Sequence, residues 1–329
     1  MIVDAHAHVI VRALTRDAAP GESWRPRVYR DAGRQMIEFE GRRIAAAVRE
    51  FVDIDAILQA QTAAGIDRTV LSPWVNLLRY EASVEEGVRV GRIQNEALAA
   101  LASAHPARIS VLGSVPLQAP ETAARELDEV MRLPGMGGVE VAAAVRGTYL
   151  GDERFLPFWE SAEASGALVF IHPTTRGFGL PVLDDYYLRN TVGNPLETTV
   201  SAAHLVMAGV LERHPRLKVL LAHGGGAVLT LRGRLRHAHG FQDQARSKLR
   251  ESPEASLRRF YVDTVTHDAA VLRGIVDFLG SDHVLLGSDY PFDMGVERPA
   301  EIVEALGLPP GEARMILGGN AARLLGMLP

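Results

Sequence analysis

The chain contains no cysteine. Disulfides, thiolate nucleophiles and cysteine-ligated zinc are therefore excluded, and a reducing cytoplasmic setting is the expectation. Lysine is nearly absent as well: Lys218 and Lys248 stand against 33 arginines, so any catalytic lysine must be one of those two. No apolar run approaches the ~20 residues of a membrane span. Asp4, His6 and His8 interrupt any apolar core of a leader peptide. No G-x-G-x-x-G follows the first predicted strand, which removes support for a dinucleotide fold. The net charge is -5 and the pI about 6.1, so neither nucleic acid nor a membrane is an expected partner.

What is present is an ordinary globular balance. The 329 residues are 47% apolar and 23% charged, enough for one large core. Short apolar runs alternate with amphipathic helical stretches. The runs are "MIVDAH", "RTVLSP" (68–73), "ISVLGSV" (109–115), "GGVEV" (137–141), "ALVFIH" (167–172), "KVLLAH" (218–223), "RFYVDT" (259–264) and "HVLLGSD" (283–289). Helices are predicted between them, over 53–65, 85–105 and 196–214 among others, with Gly65 as a stop. Strands apolar on both faces and alternating with helices imply a parallel sheet, and eight such units imply an α/β fold of the closed (β/α)8 (TIM) barrel type. The runner-up is an open doubly wound sheet. A single domain over 1–329 is expected, with insertions at about 10–52 and 173–195 over the C-terminal mouth of the barrel.

Chemistry in such barrels sits at the C-terminal strand ends. There the sequence places His6 and His8, Glu140, His172, His223 and Asp289. His6 and His8 share a face, because strand residues i and i+2 do. Imidazole with carboxylate suits zinc, iron or manganese. The remaining histidines read as structural. His105 and His214 close helices before prolines, His204 lies inside a helix, His237 and His239 lie in a basic stretch, and His283 starts a strand. His267, after the seventh strand, is a candidate substrate contact, with Thr266 as a helix cap.

The motifs "DAHAH", "VFIHP", "LLAHGGG", "VLLGSDYPFDMG" and "GGNAARLLG" together resemble the amidohydrolase superfamily. They are most similar to the branch containing aminocarboxymuconate-semialdehyde decarboxylase and related non-oxidative aromatic-acid decarboxylases. The resemblance covers nearly the whole chain. It implies one divalent metal, Zn2+ before Mn2+, on His6, His8, His172 and Asp289. It implies that His223 acts on the metal-bound water or the reacting carbon, with Asp289 sharing in proton management. It further implies that Phe292 lines the pocket, that Arg234 contacts substrate (in some members from a neighbouring subunit), and that Arg43 or Arg42 supplies a second cation. A homodimer follows from the same likeness.

Relatives that bridge two metals with a carboxylated lysine use the end of the fourth strand, where this chain has Glu140; neither Lys218 nor Lys248 falls there. A lysine-bridged metal pair and a Schiff base are thus both disfavoured. Glu140 is expected to steady a ligand histidine or an arginine rather than bind a second ion. Trp74, Phe178, Tyr186, Tyr187 and Phe292 are candidate aromatic walls. The arginine-rich first insertion suggests a small anionic substrate. The expected activity is non-oxidative decarboxylation of a small aromatic or dienoic acid. The alternatives are a hydrolase or hydratase acting on an ester, lactone or unsaturated acid with the same groups, and a non-catalytic metal-binding scaffold.

Overall fold

A computed structural model describes residues 1–44, 47–174 and 179–327. Among them, eight parallel strands follow one another around a single sheet: Val3–Val9, Arg68–Pro73, Ile109–Gly113, Met136–Ala142, Leu168–His172, Lys218–Leu221, Phe260–Asp263 and Val284–Leu285. The first and last are joined by Ala5 N–H donating to Leu286 C=O (2.8 Å) and by a parallel bridge between Ala7 and Tyr290, which closes the barrel. The eighth strand is shorter than its apolar run suggests, because "GSD" leaves the ladder to build the mouth.

The strands are buried along nearly their whole length, as expected of a sheet covered on both sides. Val3, Ala5, Val70, Leu112, Leu168, Phe170, Leu220, Ala222 and Leu285 form the interior plug, sealed by Ala321 and Leu324 of the C-terminal helix Asn320–Leu324. A second, larger cluster lies between the strands and the surrounding helices. The first strand carries an irregularity in its pairing between Asp4 and Ala7. Before it Val3 and Ala5 face the interior; after it His6 and His8 do, and Ala7 and Val9 pack outward. A bulge that re-aims side chains is a recurrent device beside active sites.

The predicted helices form at Ile54–Ala63, capped by the Asp53 carboxylate, and at Val84–Ala104, capped by Ser83. The stretch 196–214 is broken: Asn194–Met207 ends before Gly209, whose φ of +69° starts the short helix Val210–Arg213. Asp268, not Thr266, caps the helix Ala269–Leu279, and His267 lies just outside it.

The first insertion contains an antiparallel sheet of Arg27–Asp31, Arg34–Phe39 and Arg42–Ile44. It is pinned to the mouth by Phe39 and Phe51 against Trp74 (5.2 and 5.9 Å between ring centres) and by Phe51 against Phe292 (5.5 Å). The second ends one turn earlier than predicted, in a π-helical turn, Arg189–Gly193, that runs into the helix from Asn194. Among the described residues no helix is long and apolar enough to cross a membrane.

Candidate metal and proton-transfer site

Five side chains from four strand ends converge above the interior plug. His6 Nε2 lies 3.1 Å from His8 Nε2 and 3.3 Å from Asp289 Oδ1; His8 Nε2 lies 3.5 Å from the same oxygen. His223 Nε2 approaches Asp289 Oδ2 at 3.5 Å. The ring of His172 sits 5.3 Å from that of His6 and 4.7 Å from that of His8. One donor atom each from His6, His172, His223 and Asp289 falls within 4.8 Å of all the others. Donors held about 2.1 Å from a tetrahedral ion lie about 3.4 Å apart, so these spacings fit a divalent cation. The polar atoms agree: His172 Nε2 and Asp289 Oδ1 are buried and have no hydrogen-bond partner among the described residues. Buried polar atoms left unpaired are costly, and an ion would satisfy both at once.

The other ring nitrogen separates ligands from base. His6 Nδ1 is 2.6 Å from the Asp263 carboxylate, His8 Nδ1 is 3.1 Å from both Pro73 C=O and Ser72 Oγ, and His172 Nδ1 is 2.9 Å from Pro173 C=O. Anchoring Nδ1 in this way turns a Nε2 lone pair toward the centre. His223 Nδ1 has no such anchor among the described residues. Its imidazole is the one whose proton is not committed to the protein frame.

Charge in the ring is one-sided. Burial works against a proton on His6, but the Asp289 and Asp263 carboxylates overcome it and push its pKa up to about 10. His8 rises to about 9 for the same reason, with Glu140 as the leading carboxylate. Burial and the neighbouring histidines hold His172 well below the usual imidazole range. Burial opposes ionisation of Asp289, yet His6, His223 and His8 hold it well below the usual carboxylate range. Carboxylates that draw positive charge this strongly suit a cation.

Two buried carboxylates back the ring. Asp263, at the end of the seventh strand, accepts from His223 N–H (2.9 Å), Gly224 N–H (2.8 Å), Val265 N–H (3.0 Å) and His6 Nδ1. Asp263 is not among the candidates named from the sequence, although "YVDT" places an aspartate at a strand end like the others. Glu140 is fully buried and faces His8 Nδ1 at 3.3 Å, and neither of its oxygens is hydrogen-bonded among the described residues. His223, His267 and Asp289 all adopt φ near +56°, a strained conformation that clusters at functional sites. Asp263 pins the first of them. Close approach is also needed at Gly287, where a Cβ would lie 2.9 Å from His6 Cβ.

The substrate contacts expected from sequence fare unevenly. Phe292 stands beside the ring, 5.4 Å from His8. Trp74 is buried and packs on Phe39 and Phe51, so it props the first insertion rather than walling a pocket. Tyr186 is 91% exposed, which removes it as a wall; Tyr187 donates its hydroxyl to Asp293 at 3.0 Å. Phe178 lies outside the described residues. Arg234 is exposed on the helix Arg232–Phe241, and Arg43 is exposed and reaches only the Tyr29 hydroxyl (3.4 Å). Neither arginine enters the cavity of about 230 Å³ bordered by His223 and Asp289. A larger hollow of about 420 Å³, near Arg79 and Arg146, contains none of the five converging residues. Lys218 bonds to Leu324 C=O and Lys248 pairs with Glu153, so neither lysine serves the site.

Comparison with known proteins bears on the family and the fold. The family profile described as amidohydrolase matches residues 3–327. A 2-amino-3-carboxymuconate-6-semialdehyde decarboxylase of Dictyostelium discoideum is 32% identical over 279 residues, covering 84% of this chain and 77% of the relative. The crystal structure of 5-carboxyvanillate decarboxylase from Sphingomonas paucimobilis superposes with a TM-score of 0.82 at 26% identity, over 99% of this chain and 98% of the other. A dihydroxybenzoic acid decarboxylase of Polaromonas sp. JS666, solved with manganese and 2-nitroresorcinol, shares the fold at a TM-score of 0.80 and 21% identity, over 99% and 97% of the two chains. With its profile matched almost from end to end, this chain belongs to the amidohydrolase family.

Proposed function

We propose that the protein is a metal-dependent decarboxylase, a carboxy-lyase acting without redox change on a small aromatic or dienoic carboxylic acid. The observation that carries this reading is one unanchored imidazole, His223, beside three histidines whose Nδ1 atoms are all anchored. In this reading His6, His8, His172 and Asp289 hold one divalent ion. When bound, it supplies a Lewis-acid charge that neutralises and orients the acid end of the substrate. Zinc is the metal expected first from the sequence, but solved neighbours carry manganese, which supports manganese as the ion here.

The chain's own groups manage the proton. As the bond to the carboxyl carbon breaks, CO2 leaves and the electron pair stays on the substrate carbon. His223 delivers a proton from Nε2 to that carbon, and Asp289 Oδ2, 3.5 Å away, steadies the charged imidazole. Phe292 borders the ring on the His8 side, and Phe51 behind it helps exclude water. Asp263 orients His6 through Nδ1, Ser72 and Pro73 C=O anchor His8, and the Glu140 carboxylate places negative charge beside His8 Nδ1.

Arg234 belongs to the same proposal through a second copy of the chain. It is exposed beside exposed Leu231, and the second insertion adds exposed Leu180, Val182 and Val192. A homodimer that covers these groups would bring Arg234 to the neighbouring mouth. The domain reading of one barrel over 1–329 and a cytoplasmic location stand with it.

The test is CO2 release from a panel of arene carboxylic acids, with metal analysis of the purified protein. Release that chelation abolishes and zinc or manganese restores is the expected outcome. His223→Asn is expected to keep the metal and lose at least about 1000-fold in turnover. Retained carbon with added water would instead establish the hydrolase or hydratase. A fully active monomer on gel filtration would remove Arg234 from the proposal.

A further inference from the structure

Two buried side chains in the first turns of the helix Asn194–Met207 reach strand-end loops rather than solvent. Glu197 grips the loop that follows His172. Its Oε2 accepts from Thr174 N–H at 2.7 Å, and its Oε1 accepts from the Thr174 hydroxyl at 2.9 Å. Thr199 grips the loop that follows His223. Its hydroxyl accepts from Ala227 N–H at 2.8 Å and donates to Pro195 C=O at 2.7 Å. A carboxylate as buried as Glu197 is costly unless its oxygens are filled, and here Thr174 fills both.

The first of these grips leads straight to the proposed metal centre. Thr174 N–H and Pro173 C=O belong to one planar peptide group. That same carbonyl anchors His172 Nδ1, at 2.9 Å. The carboxylate therefore holds one edge of a rigid plate and the imidazole holds the other. Hydrogen bonds in series through an amide polarise one another. Negative charge on the N–H side makes the carbonyl a stronger acceptor for the Nδ1 proton, and that raises the donor strength of Nε2 toward an ion. His172 Nε2 is the buried nitrogen left without a partner among the described residues. The grip also ties the second insertion at its base, since Thr174 lies near its start and Glu197 just past its end.

We infer that Glu197 is a positioning residue for the metal centre: through the Thr174–Pro173 peptide it sets the direction and raises the basicity of His172 Nε2. The inference rests on the proposed reading of His172 as a metal ligand. It adds a second step to the support of that ligand, supplied from a helix beyond the insertion.

The test is metal affinity of the full chain, measured by competition with a chelator for manganese and zinc, each offered alone. Glu197→Gln keeps the shape and removes the charge, and Thr199→Val removes the neighbouring grip. Both variants lose a buried hydrogen bond or its charge, so a merely structural role would move them alike. Glu197→Gln is expected to weaken both metals about tenfold, and Thr199→Val by no more than about twofold. The visible absorption of the Co2+-loaded protein is expected to change in Glu197→Gln and not in Thr199→Val. Where Glu197→Gln does not fold, Thr174→Ala strips the hydroxyl from the same carboxylate and is expected to cost about threefold in affinity. Wild-type affinity in Glu197→Gln or, in its place, in Thr174→Ala overturns the inference, and so does an equal loss in Thr199→Val. Those results leave the metal reading intact. A wild-type chain that takes up neither metal removes the metal reading itself, and this inference with it.

Discussion

The barrel's strand ends and the two insertions above them solve opposite problems. At the strand ends, His6, His8, Glu140, Asp263 and Asp289 are buried, rigidly placed and drawn together from positions up to 283 residues apart. In the insertions, Arg43, Tyr186 and Leu180 are exposed and make few contacts with the barrel. Eight paired strands position a side chain to within a fraction of an ångström, which metal coordination demands. A loop cannot, so it carries what varies between substrates and partners. On the proposed reading, metal and proton chemistry belong to the barrel, and selectivity to its coverings.

The sharpest way to break this division is to remove a ligand. His172→Ala should reduce bound metal to a small fraction of one ion per chain and abolish turnover, with the fold retained by circular dichroism. If the metal stays, the ligand set is wrong. Next comes the joint between the two regions. Trp74→Ala empties a fully buried site under the first insertion and should cost about 3–5 kcal/mol of stability, read by denaturant unfolding. A loss under 1 kcal/mol would show that the insertion is not packed as described.

Subtler is the backing of the ring. Glu140→Gln keeps the shape and removes the charge facing His8, and should weaken metal affinity about 10- to 100-fold by competition with a chelator. Unchanged affinity would return Glu140 to a passive role. Smallest is an effect far from the mouth. Glu163 accepts from Arg216 N–H (2.9 Å), and with His214 and Arg216 beside it its pKa lies below the usual carboxylate value. A depressed carboxylate pKa adds stability above the unfolded value and loses it as pH falls through the folded one. Glu163→Gln should therefore lower Tm by no more than about 2 °C at pH 7, with the difference vanishing toward pH 3. A difference that grows on acidification would refute the assignment.

Much of this was legible from residue order. The eight apolar runs announce the barrel because a strand covered on both faces must be apolar throughout. "DAHAH", "VFIHP", "LLAHGGG" and "LLGSD" announce the ring because strand ends are where this fold exposes functional groups. Asp263 was hidden because one aspartate after "FYV" looks like any other strand terminus until His6 Nδ1 is found 2.6 Å away.

Sequence alone determined the barrel, the family and the residues that meet at its mouth, since period, spacing and strand-end chemistry are properties of the chain. Tertiary structure decided which imidazole is free and which are anchored, and why Trp74 is packing and Arg43 is surface. It also decided what lines the cavity beside His223. Those are matters of the partner each atom finds across space, and a hydrogen bond between residues 257 positions apart leaves no trace in either neighbourhood of the sequence.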